Sequence, residues 1–310
     1  MRKYIIGFLL FFLGNNPVLS KELMLNLQYH KNKEAFDLEK LTKGLSDIEI
    51  DTKTYVIDDN SSIEEHVNKI REFIRQYCEK EKKLQVLVLT DRESTFVGLE
   101  LASVDTTVKA LFTFSGAFND GDNFLYGEMS FKKNMEMLDS ISLDSSKERY
   151  LEKVLKMIAD KKKGKKIRLP KNADSDMTAL YALLQSKYWN SVLGFSLDDH
   201  LHSIKAEFLP IMPYVKKKNL MTDVDYLNLC HCGNKYQIRY SYPIFNDGDR
   251  LVTEILKHVS DIKNEIKNEA LYYNILSVTC GHRRLLRLYS LQFQNERWKH
   301  ATRHGDNTTG

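Results

Sequence analysis

The run Leu84–Leu89 (LQVLVL) is apolar at every position but Gln85, too short for a helix of its own, and bounded by polar residues. Such a run reads as a strand buried on both faces, which places it inside a parallel sheet flanked by helices. Thr90–Glu93 supplies a sharp polar turn. Ser94 then opens a helical pattern with Phe96, Val97, Leu99 and Leu101 as its apolar residues, and Val108–Phe114 is a second buried strand. No other stretch restricts the fold so tightly.

The flanks repeat the alternation. Leu23–Leu27 is a short strand, Glu34–Lys43 a helix stopped at Gly44, Ile48–Ile57 an alternating strand, and Asp58–Ser62 a turn. Ser62 and Glu65 have capping-box spacing and open the helix Ile63–Glu79, with Ile63, Val67, Ile70, Phe73 and Ile74 as its stripe. Strands alternating with helices predict an α/β fold, a doubly wound and mainly parallel sheet with right-handed crossovers. From Asn119 the pattern changes. Asn119–Asp122 (NDGD) is a turn cluster, and helical stretches follow at Phe131–Met137, Lys147–Ala159 and Met177–Leu184 without a convincing strand. A helical insertion between sheet strands is how a cap over a cleft appears in sequence. The α/β pattern resumes with Phe208–Val215, Tyr236–Tyr242, the helix Leu251–Asn268, the strand Leu271–Val278 and the helix Arg283–Trp298. The expected division is a leader at 1–20, a core at 21–118 and 203–300, a cap at 119–202 and a loose tail at 301–310.

Arg2 and Lys3 precede the apolar run Ile5–Leu13, and Val18 and Ser20 stand before a plausible cut at Lys21. That pattern is a secretory signal; the apolar run is well short of the ~20 residues a membrane span needs. Export is therefore expected, to the periplasm or beyond, with the membrane met only in transit. Cys78, Cys230, Cys232 and Cys280 then permit two disulfides in any of three connectivities. A formal net charge of +4 over 310 residues gives no general case for nucleic-acid binding. Lys161–Lys166 (KKKGKK) is a local exception, read first as a solvated loop and second as contact with an anionic surface.

The order of elements resembles the α/β-hydrolase family, in particular its secreted dienelactone-hydrolase and dipeptidyl-peptidase-like branch. Ser62–Leu89 is similar to the helix and strand that lead into the family's nucleophile turn, and Ala110–Phe118 (ALFTFSGAF) to the strand after it. Ser186–His200 resembles the end of the cap, and Cys280–His282 (CGH) falls where the catalytic histidine follows the last strand. The resemblance implies a cleft at the carboxyl ends of the strands and a catalytic triad in it.

The triad does not carry over. A serine hydrolase needs a hydroxyl on a strained elbow flanked by glycines. Thr90–Ser94 (TDRES) puts Arg92 at the nucleophile and Thr90 and Ser94 where glycines belong. Guanidinium stays protonated and has no lone pair for attack. Asn219 matches the acid's place, with Asp223 and Asp225 just beyond it, and the loop Gln28–Asn32 (QYHKN) lacks the glycines of an oxyanion hole. His282 alone matches its position. The expectation is a hydrolase scaffold without the hydrolase reaction, a pseudoenzyme that binds a small molecule or peptide through an anionic group. Arg92, Asp91 and Trp189 are the candidate ligand-facing residues.

Several rival readings remain. One has Ser94 displaced into use as a nucleophile with His282 as base and Asp223 or Asp225 as acid, against a simple helix-capping role. His200 and His202 with Cys230, His231 and Cys232 hold metal-ligand types, but at no standard spacing, so no metal or cofactor is expected. Asp58 and Asp59 end a strand on the ligand-binding edge, where a turn and cap outweigh a cation or sugar site. Tyr188, Trp189 and Phe195 either line a cap pocket or pack within it. A structural role in a secreted assembly is the last alternative.

Overall fold

The fold was obtained as a computed structural model that describes residues 21–31, 38–80, 84–114, 119–137, 145–204, 206–211, 213–214, 244–245, 252–253 and 255–264. The chain divides into two compact units, 20–257 and the two ends 1–19 with 258–310. Of the second unit, the described residues 258–264 are helical. All that follows concerns the first.

β1 (Lys21–Tyr29) leads through α1 (Leu38–Asp47) to β2 (Ile50–Ile57), and α2 (Ile63–Lys80) returns the chain to β3 (Leu84–Asp91). A single 3₁₀ turn, Arg92–Ser94, connects β3 to α3 (Thr95–Val104), which is followed by β4 (Val108–Phe114). Then come α4 (Gly121–Met137), α5 (Ser145–Lys162), α6 (Ser175–Leu183), α7 (Lys187–Leu193), α8 (Leu197–Ser203) and β5 (Glu207–Ile211). A short separate pair joins β6 (Pro213–Tyr214) to β7 (Ile244–Phe245).

The five main strands form one parallel sheet in the order β2-β1-β3-β4-β5. The first crossover runs outward from β1 to β2 and the second runs back past β1 to β3. Right-handed connections that reverse direction put their helices on opposite faces, so the sheet is doubly wound. The side chains agree. Leu23, Leu25 and Leu27 join Val86 and Val88 in one core with Val67, Ile70 and Ile74 of α2 and Phe96, Val97 and Leu101 of α3. The alternate residues Met24, Leu87, Leu89 and Phe112 are equally buried outside that cluster.

Local chemistry explains the boundaries. Ser62 and Glu65 form the expected capping box at the start of α2, with the Ser62 N–H donating to Glu65 Oε2 at 2.8 Å and the Glu65 N–H to Ser62 Oγ at 3.1 Å. The predicted stop at Gly44 is corrected: α1 runs through it to Asp47. A Cβ at Gly44 would lie 2.4 Å from Leu256 Cδ1, so this glycine serves close packing and not termination. The helix predicted from Phe131 starts at Gly121, inside the supposed turn cluster, because Asp120 ends the loop by accepting the Leu197 N–H at 2.9 Å and, through its carbonyl, the Phe124 N–H. The strand β3 continues through Thr90 to Asp91, narrowing the polar turn to one 3₁₀ step. Two further helices, α7 and α8, fill the region before β5. The proposed elements 236–242, 271–278 and 283–298 lie outside the described residues. No helix among the described residues is long and apolar enough to cross a membrane.

The approach of α3 to β3 is the tightest contact that bears on the elbow. A Cβ at Gly98 would sit 2.5 Å from Cγ2 of the fully buried Thr90 and 3.1 Å from Leu111 Cδ1. Gly98→Ala should therefore destabilise the fold by about 1–3 kcal/mol despite alanine's better helix propensity. Adding Thr90→Ser, which removes Cγ2 and keeps the hydroxyl, should recover a good part of that loss in urea unfolding. Additive losses would show that the two residues do not compete for the same space.

Candidate active-site elbow at the edge of the sheet

Arg92 stands where β3 gives way to α3, and its φ of 46° is left-handed. Only it and Glu49 combine a side chain with such a φ among the described residues. For an L-residue with a full side chain this conformation costs roughly 1 kcal/mol or more. β3 is buried up to Thr90, and only the three-residue 3₁₀ step Arg92–Ser94 separates Asp91 from α3, so the reversal is concentrated at Arg92.

The side chain of Arg92 leaves the turn with 45% of its surface exposed. Its Nη2 donates to Glu128 Oε2 of α4 at 3.0 Å, and its Nε lies 3.7 Å from Glu93 Oε2. Glu128 was not visible as a partner in the sequence, since the helix that carries it was read as starting after it. Asp91 points elsewhere: its Oδ1 is shut off from solvent and has no hydrogen-bond partner among the described residues. Burial pushes this carboxyl up to about 7, the Glu93 carboxylate adds to the rise, and Arg92 opposes it.

Ser94 is fully buried. Its Oγ accepts the Asp91 N–H and donates to the Asp91 carbonyl, both at 2.8 Å, so the hydroxyl ties the elbow shut from within. It makes no side-chain cap to α3. His282, Asp223 and Asp225 lie outside the described residues, as do Asn219, Cys230, His231, Cys232 and Cys280. Cys78 is a half-buried thiol on α2 whose possible disulfide partners are among those residues.

Beside the elbow, the end of β1 brings Tyr29, His30 and Lys31 to Asp59. Tyr29 Oη donates to Asp59 Oδ1 at 2.6 Å, Lys31 Nζ bonds Asp59 Oδ2, and His30 Nε2 lies 3.7 Å from the same oxygen. Burial and the Asp59 contact raise the Tyr29 phenol well above its usual range, so it remains a donor. Trp189, buried on α7, donates its Nε1–H to Tyr29 Oη at 2.8 Å, and Tyr188 Oη donates to the Glu93 carbonyl at 2.6 Å. Tyr29 and Tyr188 stack at 5.4 Å between centroids. The aromatics of α7 thus pack into the core and hold the elbow from above. Asp58 closes its turn by accepting the Asn60 N–H at 2.7 Å.

Burial and hydrogen-bond partners move the pKa values of two histidines in opposite directions. His66 is fully buried, faces the Tyr55 hydroxyl and the Asp58 carbonyl at 3.0 Å each, and has its pKa lowered by burial. His200 stacks on Phe195 at 4.0 Å and meets only acceptors, the Ser196 carbonyl at Nδ1 and Glu100 Oε2 at Nε2. Burial disfavours its charge, but those two acceptors outweigh it and raise its pKa. His200 is committed to an ion pair between α8 and α3, and no metal-ligand group of three occurs among the described residues.

The strand order, the parallel ladder and a strained strand-to-helix elbow with a left-handed apex are those of the α/β-hydrolase type of fold. No family model matches the chain, and no curated protein matches it. Solved structures similar to it include Est1E from Butyrivibrio proteoclasticus, at 12% identity over 81% of this chain and 91% of that one, with a TM-score of 0.47. The α/β hydrolase GrgF from Penicillium sp. sh18 is similar at 12% identity over 79% and 90%, TM-score 0.44. The peroxisomal α/β-hydrolase Lpx1 from Saccharomyces cerevisiae is similar at 10% identity over 86% and 89%, TM-score 0.42.

The Asp91 carboxyl has a pH signature. Its folded pKa of about 7 exceeds the ordinary 3.8, so the folded state holds a proton the unfolded state releases. Its contribution is fully present below pH 3.8, declines as pH rises, and is lost above about 7. Asp91→Asn, which cannot ionise, should be more stable than the parent at pH 8 by on the order of 2 kcal/mol and differ little at pH 4. Parallel unfolding curves at both pH values would contradict a buried acid at this position.

Proposed function

We propose that this chain is a non-catalytic binding protein, a pseudo-hydrolase that holds an anionic group of a small molecule or peptide against Arg92. The observation that carries the reading is the elbow itself: its apex is an exposed guanidinium in a left-handed conformation, at the place a hydrolase gives to its nucleophile. Ser94 supports the non-catalytic part, because its hydroxyl is buried and taken up by the Asp91 backbone.

The position supports binding. In open doubly wound sheets, ligands lie outside the carboxyl ends of the strands where the strand order reverses. Here that reversal falls between β1 and β3, with His30 and Lys31 on one side and Arg92 on the other. The Arg92–Glu128 pair is exposed, and exposed pairs contribute at most about 1 kcal/mol, so a ligand carboxylate or phosphate can replace Glu128. A planar guanidinium binds such groups in a two-point fork. On this reading the helices of 119–202 serve as the cap of the cleft. Residues 1–20 direct export, and the scaffold descends from the secreted dienelactone-hydrolase-like branch. On this reading the ligand is selected by charge at one end.

Titration of succinate into isotope-labelled protein tests the site. Saturable shifts are expected at the Arg92 side-chain N–H and at Lys31. Arg92→Ala should weaken binding about 10–100-fold, the weight of a charge-assisted hydrogen bond. Unchanged affinity in that variant would remove Arg92 from the site.

A further inference from the structure

Residues 160–171 (DKKKGKKIRLPK) carry seven basic side chains and one acidic, while the whole chain has a formal charge of only +4. The rest of the chain is therefore slightly negative, and its excess positive charge is gathered in one segment. That segment has a defined conformation. α5 ends in a Schellman motif, in which the Gly164 N–H donates to the Lys161 carbonyl at 2.8 Å and the Lys165 N–H to the Asp160 carbonyl at 2.9 Å. Gly164 takes the left-handed conformation this motif requires, with φ 71°. Three residues later Ile167 is buried in the same core cluster as Val154, Met157 and Ile158 of α5. The chain is thus pinned on both sides of its lysines.

Pinning turns the charge outward. Lys162, Lys163, Lys165, Lys166, Arg168 and Lys171 are all exposed. Lys162 pairs with Asp122 at 2.6 Å and Lys165 with Asp160 at 3.1 Å. Lys163, Lys166, Arg168 and Lys171 have no ion pair among the described residues. The cations at the end of α5 complement its dipole, but Arg168 and Lys171 lie beyond the reach of that effect. Apolar surface accompanies them: Leu169, between Arg168 and Pro170, is 40% exposed, and Leu155, on the α5 face that carries Lys162, is 52% exposed. These are two of the four large exposed hydrophobic side chains among the described residues.

We propose that residues 160–171 form a docking edge for the surface of an anionic lipid bilayer, with the basic side chains on the headgroups and Leu169 entering the interface. Polybasic segments bind such surfaces through additive, salt-screened attraction, and a partly buried leucine anchors them. The segment holds no aromatic side chain, so it lacks the stacking platforms that single-stranded nucleic acids use. Two exposed leucines beside a cluster of flexible basic side chains suit a fluid apolar layer better than a shaped protein pocket. The edge stands on observations separate from those at Arg92.

Sedimentation of the full chain with vesicles tests the edge. Binding is expected to phosphatidylcholine vesicles containing about 30% phosphatidylglycerol, to be lost on pure phosphatidylcholine, and to fall steeply as salt is raised. The variant Lys163→Gln, Lys166→Gln, Arg168→Gln and Lys171→Gln should bind at least about 100-fold more weakly, given about fivefold per basic residue. Leu169→Ser should weaken binding several-fold without altering its salt dependence. Both variants change exposed side chains and should keep the parent's circular dichroism. Absence of vesicle binding, equal binding to neutral vesicles, or unchanged binding by the four-residue variant would overturn the proposal. So would displacement from vesicles by a single-stranded RNA at equal phosphate concentration.

Discussion

The close seating of α3 on β3 sets the geometry of the elbow and of everything at the sheet's edge. Thr90 fills the space that a side chain at Gly98 would need, and the apolar residues of β3 are buried on both faces. A strand so enclosed cannot bend away gradually. The chain turns within the 3₁₀ step Arg92–Ser94 before α3 starts at Thr95, and Arg92 at the head of that step accepts a left-handed backbone. Strain of this kind persists only where the surroundings over-determine it. Here Ser94 locks the turn to Asp91 from inside, while Tyr188 holds the Glu93 carbonyl from the helical layer.

At that edge the charges are paired but not neutral in their reach. Arg92 answers Glu128, Lys31 answers Asp59, and Asp91 escapes the conflict by keeping its proton near neutral pH. Exposed pairs such as Arg92–Glu128 exchange partners at small energetic cost, whereas Asp59 is fixed by Tyr29 and, through it, by Trp189.

Much of this architecture was legible because it follows from local periodicity. β3, α2 and β4 declare themselves by buried runs, a stripe and a capping box, each decided within a few neighbouring residues. The residue at the elbow's apex was equally legible: Thr90–Ser94 puts Arg92 there, and the backbone turns left-handed at that residue. What stayed hidden was set by distant residues. Gly44 reads as a stop until Leu256 packs on it, and Asn119–Asp122 reads as a loop until Asp120 meets Leu197. Glu128 joins Arg92 only because α4 starts earlier than its composition suggests, and Trp189 becomes a core residue only once Tyr29 supplies its acceptor. His200, grouped with metal-ligand types by sequence, is claimed by Glu100 across a hundred residues of chain.

The proposed binding role requires the elbow to present a cation and no nucleophile. Its most direct measurement is reaction of the full-length folded protein with a fluorophosphonate, followed by intact-mass and peptide mass spectrometry. The account predicts an unmodified mass under conditions that label an active serine hydrolase to completion, because Ser94 Oγ is buried and bonded in both directions. A stoichiometric adduct on Ser94 would contradict it and restore the elbow as a site of catalysis.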